Sequence, residues 1–183
     1  MNYYDLQMNA GRLLNDLSLD DICKEYKRKV FDLISLLQNR IAVFDFDGTL
    51  TEFKYSNGRL LPCKDDDLYE YSKEHSIYNN ARLLKTMQYV VNECETDNVY
   101  ILTVTVETLR ESKEKIISYG FPSILKEHII QVDNSTQKLE VLQDIHSKRN
   151  KDIIFVEDTV KTLLTAEENL PYVRGYHISS LII

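Results

Sequence analysis

The chain has little of what marks several functional classes. Its cysteines are three, Cys23, Cys63 and Cys94. They are odd in number, widely spaced and form no CxxC, and none of the four histidines stands at zinc-finger spacing from them. A disulfide framework and a zinc finger are therefore excluded as the organising device, and the three are read as reduced thiols. No apolar run approaches the length of a bilayer span, so no membrane association is expected. The opening residues, MNYYDLQMNAGR, lack a basic start followed by an apolar stretch, so no secretory signal is expected and a cytoplasmic location is. There is no internal repeat and no low-complexity linker. Positive charge is also short: 22 Lys and Arg face 29 Asp and Glu, a formal net charge of −7. That balance disfavours broad attraction to nucleic acid or anionic membrane. Lys24, Lys27, Arg28 and Lys29 read as the solvated face of a helix.

What is present points to one domain with an appendage, since domains commonly run to roughly 100–200 residues. Residues 1–40 read as a helical segment packed on the core. Leu6, Ala10, Leu13, Leu14 and Leu17 suit one helical face, and Ile22, Tyr26, Val30, Ile34 and Leu37 suit a second, with Asp20 or Asp21 placed to cap it. From residue 41 the rhythm changes. Short runs rich in Val and Ile, at 41–46, 99–104, 129–132, 153–156 and 176–181, alternate with helical patterns at 81–94, 108–119, 135–149 and 159–170. Such alternation predicts an α/β domain over 41–183, a three-layer Rossmann-like parallel sheet with helices on both faces. About fifty residues separate the first two strands, too many for a simple crossover. Within them, Asn57-Gly58 between partly alternating segments predicts a β-hairpin flap, because both residues tolerate positive φ. Residues 51–80 thus read as a flap and small cap insertion. Four tyrosines, Tyr55, Tyr69, Tyr71 and Tyr78, cluster there, and most are expected to pack amphipathically.

The strands end in chemistry. Asp45 and Asp47 close the first, Thr103 and Thr105 the second, and Glu157 and Asp158 the fourth. Lys138 lies in the first turn of the helix after the third. In a parallel sheet these ends converge on one crevice. Several carboxylates together repel unless a cation sits among them, and hard oxygen ligands suit Mg²⁺. A carboxylate can attack phosphorus, and a second carboxyl two residues on can shuttle the proton. The Thr103 hydroxyl, Lys138 and the backbone N–H groups of Gly48 and Thr49 are placed to hold phosphoryl oxygens.

Four segments then fall into a known order. They are Asp45-Phe46-Asp47-Gly48-Thr49-Leu50-Thr51, Val99-Tyr100-Ile101-Leu102-Thr103, Lys138, and Ile153-Ile154-Phe155-Val156-Glu157-Asp158. In these the chain resembles the haloacid dehalogenase-like (HAD) superfamily, most of whose members are Mg²⁺-dependent phosphatases. The resemblance covers about residues 41–181 and departs from the pattern at Val104 and at the missing glycine before Glu157. It implies Asp45 as nucleophile and metal ligand. It implies Asp47 as general acid/base, lending its backbone carbonyl to the metal. Thr103 and Lys138 would bind phosphate, and Asp158 with Glu157 would complete the metal site. The dehalogenase branch lacks an acid at the Asp47 position, so a phosphatase is expected.

The expected function is hydrolysis of a phosphate monoester through an aspartyl-phosphate on Asp45. The substrate expected is a small phosphorylated metabolite or nucleotide, and homo-oligomerisation is left open. The alternatives are a phosphotransferase or phosphomutase of the same superfamily, and a non-catalytic binding or regulatory protein on that scaffold.

Overall fold

The structure, a computed structural model, describes residues 19–53 and 77–181. The expected helix over residues 6–17, the Asn57-Gly58 turn, Cys63 and three of the four clustered tyrosines lie outside the described residues.

Five strands form one sheet in the order that a doubly wound chain produces. They are β1 (Ile41–Phe44), β4 (Val99–Val104), β5 (Ile129–Val132), β6 (Ile153–Glu157) and β7 (Val173–His177), ordered β5-β4-β1-β6-β7 with every pairing parallel. The remaining two strands, β2 (Thr51–Phe53) and β3 (Ala81–Leu83), pair antiparallel with each other. The chain winds outward from β1 to β5, then crosses to β6 and winds the other way. The switch point lies beside β1, where such folds open a crevice at the carboxyl ends.

Alternation along the central strands explains the layers. Ala42 and Phe44 face one side with Val30, Leu33, Ile34 and Leu37 of helix α1 (Leu19–Leu37), Met87, Val90 and Val91 of α2 (Lys85–Asn92), and Ile117 of α3 (Arg110–Gly120). Ile41 and Val43 face the other side with Leu142 and Ile145 of α4 (Ser135–Arg149) and Leu163 and Ala166 of α5 (Val160–Asn169). Successive side chains of a strand point to opposite faces, so a strand buried on both sides reads as an unbroken apolar run. The approach of α5 to β7 is close: a Cβ on Gly175 would lie 3.1 Å from a methyl carbon of Leu163. None of the helices among the described residues is long and apolar enough to cross a membrane.

Three expectations need correction. Residues 81–83, read as the start of a helix, form β3, because their backbone groups pair with Thr51–Phe53 across a gap no local pattern reveals. The last strand is Val173–His177, fixed by its register on β6 from Ile153↔Val173 to Glu157↔His177, and Ile178–Leu181 turns into a 3-10 helix. Tyr26, placed on the buried stripe of α1, is exposed and donates its hydroxyl to Thr86 Oγ1 at 2.8 Å.

Helix α1 is part of the core on one face, and Leu33 is wholly buried within it. Leu33→Ala is expected to destabilise the chain by about 2–5 kcal/mol through lost burial and a residual cavity. Urea denaturation measures this, and a change of a few tenths of a kcal/mol would show α1 to be dispensable.

Candidate active site at the sheet switch point

The first loop is built around one carbonyl. The Phe46 oxygen accepts from the N–H groups of Thr49, Leu50 and Thr51 at 3.3, 2.9 and 3.1 Å, and the Gly48 N–H donates to the Thr51 carbonyl at 3.0 Å. This tight turn follows directly on β1, whose ladder continues through Asp45 N–H to Val156 O at 2.9 Å. It corrects one expectation: the Gly48 and Thr49 amides are bonded inside the turn and do not present themselves to a phosphate. Gly48 serves a different need. Its φ is +76°, and a Cβ there would collide with Asp158 Oδ2. Only glycine fits a left-handed position with a carboxylate pressed against it.

Lys138 is brought to the place its sequence position implies. Helix α4 starts at a cap in which Asn134 Oδ1 accepts from the Gln137 N–H at 3.1 Å, while Gln137 Oε1 accepts from the Asp133 N–H at 2.8 Å. One residue later the Lys138 ammonium enters the crevice and donates to Asp45 Oδ1 and to Glu157 Oε2, both at 2.7 Å. Asp45, Glu157 and Lys138 are all buried. Asp158 sits at the exposed rim, and carboxylate oxygens of Asp45, Glu157 and Asp158 lie within 4.8 Å of one another. Such an all-oxygen cluster could hold a hard divalent cation.

The electrostatics say why it would. Burial raises the Asp45 pKa most, the Lys138 ammonium pulls it down, and the Glu157 and Asp47 carboxylates push it up again, to about 7. Burial raises Glu157 as well, against the pull of Lys138. For Lys138, burial opposes the charge, but Asp45 and Glu157 outweigh it and its pKa rises. The ammonium thus stays charged while its carboxylate partners resist ionising together.

Asp47 goes elsewhere. Its carboxylate is not part of that cluster; it accepts from Lys113 Nζ at 2.5 Å and from the Tyr78 hydroxyl at 3.2 and 3.3 Å. Thr103 is fully buried at the end of β4, and its Oγ1 accepts from the same Lys113 at 2.8 Å. Thr105, a second hydroxyl at that strand end, is buried, and its Oγ1 has no hydrogen-bond partner among the described residues; the same holds for Thr49 Oγ1.

Two residues escaped sequence reasoning. Lys113 lies in Arg110-Glu111-Ser112-Lys113-Glu114-Lys115, a charged stretch of the helical pattern at 108–119 that no motif marks. Its signal was phase: it stands four residues before Ile117, on the buried stripe of α3. His177 reads as a surface or packing residue, yet its Nε2 lies 2.7 Å from the Asp158 carbonyl. A carbonyl only accepts, so Nε2 carries the hydrogen, and Nδ1 accepts from the Ser179 N–H at 3.2 Å. His177 thereby ties the end of β7 to the Asp158 loop. The other described histidines do pack, His128 stacked on Tyr100 and His146 on Tyr172.

No family model and no curated protein matches the chain.

Asp45 ordinarily titrates near 3.8 and here near 7, so between those values the folded chain keeps a proton that the unfolded chain releases. Its contribution is therefore largest near pH 4, and stability of the chelator-treated protein falls as pH rises toward 7. Each kcal/mol lost lowers Tm by about 2–4 °C. Asp45→Asn removes the titrating group and is expected to flatten the decline. Thermal melts in EDTA across that range measure it, and an unchanged slope in the variant would assign the effect to other groups.

Proposed function

We propose that the chain is a Mg²⁺-dependent phosphomonoester hydrolase of the HAD-like superfamily, acting through an aspartyl-phosphate on Asp45. The observation that carries this reading is the convergence of Asp45, Lys138, Glu157 and Asp158, from three distant segments, at the carboxyl ends of β1 and β6. The parallel sheet, the switch point beside β1 and the turn after Asp45 support it further.

The donor set fits Mg²⁺: carboxylate oxygens only, with more acid than the nearby ammonium balances. Asp45, Glu157 and Asp158 would hold the ion, with the Asp47 backbone carbonyl as the further ligand implied by the resemblance. When bound it would neutralise phosphoryl oxygens and favour the ionised form of Asp45.

The chain's own groups then divide the work. An Asp45 carboxylate oxygen attacks phosphorus and the bond from phosphorus to the leaving oxygen breaks, while Asp47, which enters the step protonated, gives that oxygen its proton. Lys138 and the Thr103 hydroxyl stabilise the negative charge on the transferring group. In the second half Asp47 takes a proton from water as the water oxygen attacks phosphorus. The bond from phosphorus to Asp45 breaks, releasing inorganic phosphate and restoring both carboxyl groups to their starting states. A small phosphorylated metabolite or nucleotide suits the acidic chain better than a polyanion.

A panel of phosphorylated metabolites, assayed for released phosphate with and without Mg²⁺, tests the reading. Turnover is expected only with the cation and is expected to vanish in Asp45→Asn. Asp47→Asn is expected to lose roughly 10²–10⁴-fold, the usual worth of a positioned acid/base. If Asp45→Asn kept most of the rate, the nucleophile would be misassigned.

A further inference from the structure

We propose that Lys113 is a positioning residue that aims Asp47 and Thr103 at the transferring phosphoryl group; this rests on the phosphatase reading above. Lys113 is wholly buried, and its ammonium is fully engaged by neighbouring groups of the chain. An ammonium has three N–H donors and no acceptor. All three are used: on Asp47 Oδ2 at 2.5 Å, Thr103 Oγ1 at 2.8 Å and the Val104 carbonyl at 2.7 Å. None is left for an anion.

A buried ammonium is costly, and packing alone would be served as well by an apolar side chain of similar length. What distinguishes Lys113 is the identity of its partners. Asp47 belongs to the turn after β1 and Thr103 to the end of β4, two groups given separate tasks in the proposed reaction. One cation on α3 joins them.

The consequences differ for the two. The Thr103 oxygen accepts from Lys113, which turns its single hydrogen away from the ammonium and leaves it to serve as a donor. The Asp47 carboxylate is gripped from two sides, by Lys113 on α3 and by the hydroxyl of Tyr78 on the 3-10 turn Ile77–Asn80. Two donors from separate elements fix the plane of the carboxylate. The rings of Phe46 and Tyr78, centred 6.0 and 5.6 Å from the Lys113 nitrogen, wall the cation with apolar surface and favour its charge.

The test is Lys113→Met in the full chain, compared on an aryl phosphate with a good leaving group (4-nitrophenyl phosphate) and an alkyl phosphate with a poor one (glycerol 3-phosphate). A misaimed acid harms the poor leaving group more. On the alkyl ester kcat/KM is expected to fall on the order of 10²-fold, the scale of a small misplacement, and on the aryl ester by far less. Adding Lys113→Met to Asp47→Asn is expected to cost little beyond Asp47→Asn alone, because the residue acts largely through Asp47. The double variant also leaves no unpaired carboxylate, so the comparison stands if the single variant folds poorly. Equal losses on both esters, or losses that multiply in the double variant, would reduce Lys113 to a structural ion pair. Absence of turnover by the unsubstituted chain on every phosphate ester would overturn the phosphatase reading itself, and the positioning role with it.

Discussion

Four carboxylates are crowded at the edge of one sheet, and two of them, Asp45 and Glu157, are almost completely withdrawn from water. Like charges in a poorly solvated place repel strongly, and each is costly to ionise without a partner. Everything else at this end of the molecule can be read as an answer to that repulsion. Two lysines are buried there, against the ordinary preference of lysine for solvent. Gly48 gives up its side chain so that Asp158 can come close. His177 reaches from the outer strand to hold the Asp158 carbonyl.

The fold makes such crowding feasible. Parallel strands β1, β4 and β6 carry mostly apolar side chains on both faces and pair along both edges, so their backbones are satisfied without help from the site. They can therefore stop together and leave their last side chains to chemistry. Because the chain winds away from β1 in both directions, the helices that follow β4 and β5 lie on opposite faces. Each delivers one ammonium to the same edge, Lys113 from α3 and Lys138 from α4.

Sequence alone carried much of this. Asp45, Thr103 and Glu157 could be placed because an apolar run that ends in a polar residue announces a strand end. Lys138 could be placed because the helical pattern that begins at Ser135 puts it in the first turn. Lys113 could not be separated from its charged neighbours. Burial of one lysine among several on a helix is decided by what the helix packs against, and that information is not local. The same limit hid β3, whose pairing partner lies about thirty residues away and whose own three residues fit a helix equally well. The bonding of the Gly48 and Thr49 amides is hidden from the sequence for a related reason. Composition of a turn shows that it bends, but not which carbonyl collects its hydrogen bonds.

The two lysines also divide the charge unequally. On the β4 side Lys113 meets one carboxyl group, Asp47, so no negative surplus collects there. On the β6 side Lys138 meets Asp45 and Glu157, with Asp158 beside them, so the negative surplus is confined there. A divalent cation drawn by that surplus would settle between β1 and β6. On the β4 side Thr103 carries a hydroxyl, and no unbalanced negative charge there opposes an anion. The asymmetry of the two ion pairs thus sets a direction across the site, with the acidic surplus toward β6 and a hydroxyl toward β4.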